Sequence, residues 1–197
     1  MIHRTQGISF PRSGHAIVWH ALHQYFNLPM STYGSVLEKP DYIWAKQHDF
    51  RGDFPKIDWL PHVIQYRNPV RSIVSNYYLH ANHTKRDDPK LWHNFVKNQT
   101  DGWRRFAGKW LIDNGIKRHL LVPYEQLVAR PLETLRQIIG FMTDEPVDDT
   151  RILFQGIEPR NNIEKFKYFD ERIFARIESD LRAEMTALSL PSYRDSV

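Results

Sequence analysis

Three short groups of residues carry the chemistry that this chain can do. The first is Phe10-Pro11-Arg12-Ser13-Gly14-His15-Ala16, a basic turn between an apolar run and a stretch of helical apolar spacing. Where a strand turns into a helix, the first N–H groups have no intrahelical acceptor. The positive end of the helix dipole adds to them, so an oxyanion is favoured there. Arg12 adds a full charge, and Ser13, Gly14, His15 and Ala16 complete a candidate phosphate grip. The second group is Arg67 with Ser75, eight residues apart, which can hold another phosphate by a forked guanidinium and a hydroxyl near a helix start. The third is Lys46 with His48, a cation beside an imidazole able to take a proton near neutral pH.

Each group also has a plainer explanation. A Gly after Ser is ordinary in loops, an Arg before Asn-Pro fits a solvated turn, and ten histidines dilute any single choice of base. The first turn departs from the phosphate-loop form G-x-x-x-x-G-K-[ST]: the leading Gly is missing, and His15-Ala16 replace the Lys and the hydroxyl residue that holds magnesium. Magnesium-dependent nucleoside triphosphate chemistry is disfavoured on that ground.

The elements that must position these groups read as strands alternating with helices. Gly7–Phe10, Tyr42–Ala45, His62–Tyr66 and His119–Val122 are predicted strands, the first three ending in the basic groups. Helices are predicted from the spacing of Ile17, Val18, Leu22, Tyr25 and Phe26, after the Asn68 cap with Pro69, from Pro89 to about Asn114, from Pro131 to Met142, and from Phe169 to Leu188. Such alternation implies parallel βαβ units with every strand C-terminus on one edge. Arg12, Lys46 with His48, and Arg67 should then meet in one crevice.

The aromatic series at 92, 95, 103, 106 and 110 reads as a buried helix face and not as an acceptor pocket, and Arg104, Arg105, Lys109, Lys117 and Arg118 as a solvated one. With 197 residues and 41% apolar content, one domain spanning 1–197 is expected. A net charge of +4 suits anionic ligands without requiring nucleic acid. No cysteine is present, so disulfides, thiol catalysis and Cys-bound zinc are excluded. No signal peptide or membrane-spanning run is evident, and a cytoplasmic location is expected.

The three groups together resemble the sulfotransferases that use 3′-phosphoadenosine 5′-phosphosulfate (PAPS). Pro11-Arg12-Ser13-Gly14 is similar to the family's 5′-phosphosulfate loop, and Tyr66-Arg67-Asn68-Pro69 with Ser75 to its 3′-phosphate segment. Lys46-Gln47-His48 matches a Lys-x-His after the intervening strand. Tyr124-Glu125-Gln126-Leu127 matches a Tyr-Glu-Asp-Leu, departing at Gln126. The resemblance implies a three-layer α/β/α sulfotransferase fold of the P-loop nucleotide hydrolase-like type, with a central parallel sheet.

It further implies transfer of the sulfuryl group from PAPS to an acceptor hydroxyl of a carbohydrate or small molecule, with no metal. His48 would be the base, and Arg12 and Lys46 would stabilise the leaving group. Arg12, Ser13, Gly14, His15, Ala16, Arg67 and Ser75 would bind the donor, and Arg160 would close over the 3′-phosphate. Two departures stand out: the family's Gly-Thr-Thr-Trp is replaced by Gly14-His15-Ala16 with Trp19 two positions late, and no Arg-Lys-Gly follows Arg160. A small-metabolite kinase and a non-catalytic module for nucleotides or nucleic acid remain as alternative readings.

Overall fold

A computed structural model describes residues 1–113, 115–154 and 163–195. Five parallel strands form the sheet in the order β2-β3-β1-β4-β5, with β1 Thr5–Ser9, β2 Met30–Ser31, β3 Trp44–Gln47, β4 His62–Tyr66 and β5 His119–Pro123. The chain leaves β1 toward β2 and β3 on one side, then crosses to β4 and β5 on the other. The reversal of winding therefore falls at β1, where open α/β sheets leave a crevice at the strand C-termini.

Alternation along the strands divides the core into two layers, because successive side chains point to opposite faces of a sheet. On one face Val63 and Val122 meet α1 (His15–Phe26) through Val18 and Leu22, and α5 (Pro131–Met142) through Leu135, Ile138 and Ile139. On the other face Ile8, Ile64 and Tyr66 pack under α2 (Pro69–Thr84), α3 (Pro89–Phe106) and the paired helices α6 (Glu171–Asp180) and α7 (Arg182–Ala187). The short α4 (Tyr124–Ala129) lies between β5 and α5. The result is the expected three-layer α/β/α arrangement.

The capping signals act as anticipated. Asn68 accepts a hydrogen bond from the Arg71 N–H at 3.2 Å with Pro69 in the first turn, and Asn27 ends α1 in the left-handed region at φ 51°. Several details differ from the sequence reading. β3 starts two residues later than expected, the two-residue β2 has no sequence signal, and the C-terminal helix breaks at Leu181 into α6 and α7. α3 also runs on through a π-helical turn over Ala107–Ile112. That turn brings Lys109 and Trp110 round to the same carboxylate, so Lys109 is not part of a solvated face. Trp92, Trp103, Phe106 and Trp110 are fully buried, in keeping with a core role.

Candidate functional site

The first turn carries two residues in the left-handed region, Arg12 at φ 67° and Gly14 at φ 82°. Only the glycine adopts that conformation without penalty, so the Arg12 backbone is held there by its surroundings. Ser72 Oγ donates to the Pro11 carbonyl at 2.7 Å, and Gln65 Nε2 donates to the Ser13 carbonyl at 3.3 Å, pinning both shoulders of the turn. A Cβ at Gly14 would sit 2.9 Å from both Leu127 Cδ2 and Tyr124 Cδ2, so α4 closes the turn from below. Gly14 caps α1 with no side-chain hydrogen bond, and the N–H groups of Ser13 to Ala16 meet no acceptor among the described residues. Buried Ser13 Oγ also lacks a partner. The turn gathers these donors at the N-terminus of α1.

The second grip lies against the first. Arg12 Nε donates to Ser75 Oγ at 3.0 Å, across 63 residues of sequence. Arg67, only 4% exposed, lays its guanidinium over the Tyr124 ring at 4.1 Å from the centroid, so one ring touches both Gly14 and Arg67. The Arg67 carbonyl accepts from Trp103 Nε1 at 3.3 Å, and Glu125 Oε1 accepts from the Asn68 N–H at 2.9 Å. The C-terminal segment braces the same corner: Asn68 Nδ2 donates to the Pro191 carbonyl and Arg71 Nε to the Tyr193 carbonyl, each at 2.9 Å. Burial raises the Glu125 carboxyl above its ordinary value, although Asn68, Arg67 and Arg71 oppose that shift.

The third group completes the edge. His48 Nδ1 lies 2.9 Å from the Ser9 carbonyl oxygen, which can only accept. Nδ1 therefore carries the proton, and Nε2 is left with its lone pair outward. Ser9 Oγ, also at 2.9 Å from Nδ1, braces the same nitrogen. Burial first, and then the Lys46 charge, pull His48 down to about 4, so the ring is neutral at neutral pH. Lys46 is itself lowered by burial and by Arg12, and its Nζ lies 5.9 Å from the centre of the Tyr33 ring.

Just after His48, the buried Asp49 takes Lys109 Nζ at 2.7 Å, Trp110 Nε1 at 2.8 Å and the Phe54 N–H at 2.9 Å. Asp49→Ala would leave the buried Trp110 indole N–H without its acceptor and remove the counter-charge of Lys109, whose Nζ would keep only the Gly52 and Phe54 carbonyls. It is expected to cost about 3 kcal/mol in urea unfolding while loosening the segment that carries His48.

Burial is also the largest influence on His15 and His62, and both are lowered as His48 is. An unfolded histidine titrates near 6.5, so as the pH falls the unfolded chain binds protons that the native chain refuses. The stabilisation from the neutral rings is complete above about pH 6.5 and is lost as the pH falls toward the native values. His48 alone should account for about 3 kcal/mol by pH 4. Urea titrations across that window should show the fall, and His48→Asn should flatten it.

Every described residue expected at the site lies at this one edge. Arg160 lies outside the described residues. Ser72, Gln65, Ser9 and the C-terminal carbonyls escaped the sequence reading, having no signal beyond their place in the fold. Trp19 stacks on His23 along α1, with ring centres 5.1 Å apart. Among the described residues no helix is long and apolar enough to cross a membrane.

Fold and edge together define a three-layer α/β protein with its polar crevice at the C-termini of a parallel sheet. Residues 10–162 match the sulfotransferase domain family, and the chain belongs to that family. It is accordingly an enzyme of the sulfotransferase class. Mouse sulfotransferase SULT7A1, solved in complex with PAP, shares the fold at a TM-score of 0.66 and 14% identity, over 97% of this chain and 89% of that one. A sulfotransferase from Alicyclobacillus acidocaldarius aligns at a TM-score of 0.53 and 12% identity, over 97% of both chains. No curated protein gives a significant match.

Proposed function

We propose that this sulfotransferase moves the sulfuryl group of PAPS to an acceptor hydroxyl and releases adenosine 3′,5′-bisphosphate. The observation that carries the reading is the 3.0 Å bond from Arg12 to Ser75, which makes two anion grips distant in sequence into one site. A donor with phosphates at both ends of its ribose uses both. The free N–H groups of residues 13–16 with Arg12 hold the 5′-phosphosulfate, and Arg67 with Ser75 holds the 3′-phosphate. Arg160 is the proposed closing cation.

In the transfer, the acceptor oxygen forms a bond to sulfur while the bond from sulfur to the bridging phosphate oxygen breaks. The hydroxyl proton passes to His48 Nε2, and the electron pair leaves with the phosphate. Arg12 and Lys46 stabilise the charge that grows on that oxygen, so catalysis is mainly positioning and electrostatics. Burial and the Lys46 charge by themselves hold His48 at about 4. Negative charge on a bound phosphosulfate favours the imidazolium and moves the ring back toward a useful base. The acceptor is a small molecule or carbohydrate that brings its hydroxyl to Nε2.

Calorimetry tests the donor. Adenosine 3′,5′-bisphosphate is expected to bind in the submicromolar range without metal, and ATP with magnesium far more weakly. The reverse order would point to a kinase and overturn the assignment.

A further inference from the structure

His15 differs from the rest of the phosphate turn because it is an ionisable side chain enclosed there with no well-aligned hydrogen bond. It is 4% exposed, and neither ring nitrogen has a hydrogen-bond partner. An unpartnered buried polar group is costly, so native structures keep few of them without a use. The ring lies 5.8 Å from Trp44 and 6.1 Å from His48, centre to centre, at the end of β3. On the β4 side stands Gln65, whose Oε1 is also buried without an acceptor's usual donor.

The groups acting on the charge of His15 are Lys46 and His48 on one side and Gln65 on the other. Arg12 belongs to its own turn. Burial comes first in holding the ring neutral, Lys46 and His48 add to it, and only the Gln65 side chain favours the proton. An anion set on the free N–H groups of residues 13–16 changes that balance, since negative charge beside an imidazole favours its protonated form.

We infer that His15 takes up a proton when the dianionic 5′-phosphate group binds, and that the imidazolium then donates one N–H to that anion and the other to Gln65 Oε1. This rests on the donor site proposed above. The two ring nitrogens and Gln65 Oε1 all gain partners in one step, with both nitrogens donating, which neutral His15 cannot achieve, because a neutral ring donates only once. His48 is poorly suited to the task, since its Nδ1 already donates to the Ser9 carbonyl and its Nε2 must stay open as a base. Binding of the bisphosphate is thereby linked to pH through a residue that need not touch the acceptor.

The test is titration calorimetry of adenosine 3′,5′-bisphosphate at about pH 7.5 in buffers of different ionisation enthalpy, which reads the protons exchanged on binding. The ligand's own phosphate, with a second pKa near 6, can only release protons on binding as the dianion, so net uptake must come from the protein. Wild-type protein and His48→Asn are expected to take up most of one proton per nucleotide. His15→Asn should bind with an uptake near zero, with affinity reduced about tenfold at pH 6.5 and less at pH 8.5.

Uptake that is absent in the wild type despite tight binding, or retained in His15→Asn, overturns the inference and leaves the donor assignment intact. Failure of the bisphosphate to bind wild-type protein overturns the donor assignment itself. Should His15→Asn not fold, the ring nitrogen shifts of His15 in the wild type decide, by moving or failing to move to imidazolium values on saturation.

Discussion

His48→Asn is expected to lower kcat by roughly 10²–10⁴-fold, the range for removing a positioned general base, while adenosine 3′,5′-bisphosphate affinity stays within about twofold. The asparagine amide can still reach the Ser9 carbonyl in place of Nδ1, so the strand ends should stay together. What is lost is the lone pair on Nε2. Steady-state kinetics with calorimetry on one preparation separates the outcomes. A comparable loss of nucleotide affinity would make His48 a donor ligand. An unchanged kcat would remove it from the chemistry.

Arg12→Ala should act on both rate and binding. In the proposed transfer its guanidinium is the charge at the breaking bond, and preorganised charge of that kind is worth about 10²–10³ in kcat. The same side chain holds Ser75 Oγ, so its loss also releases a ligand of the second grip. Bisphosphate affinity is expected to fall at least tenfold, more than for Ser75→Ala. In a double-mutant cycle the two changes should be non-additive, because each removes an end of one hydrogen bond. Arg12→Lys should restore little, since an ammonium cannot present the forked donors of the guanidinium. Additive losses would mean that the two grips act independently, and the single-site reading of the crevice would fail.

Much of this crevice could be read before any fold was known. Arg12, Lys46 and Arg67 each stand at the end of an apolar run, and a parallel sheet has only one C-terminal edge to which those ends can go. The turn at Gly14 and the cap at Asn68 are local features, set by backbone sterics and by the first unpaired N–H groups of a helix. A few adjacent residues suffice to specify them.

Other features were hidden because their causes lie far away along the chain. Nothing near Ser75 signals a bond to Arg12, nothing near Asn68 points to Pro191, and the orientation of His48 depends on a carbonyl 39 residues earlier. The neutral state of His15 and His48 is likewise a product of burial and of the Lys46 charge, quantities that exist only once the sheet has assembled. Periodicity settled the alternation of strands and helices, the strand direction and the edge that carries the polar groups, since these follow from short-range sterics and from which residues shun water. Tertiary packing alone decided which donors face one another across that edge and which rings keep or refuse a proton, because distance and desolvation are properties of the folded chain.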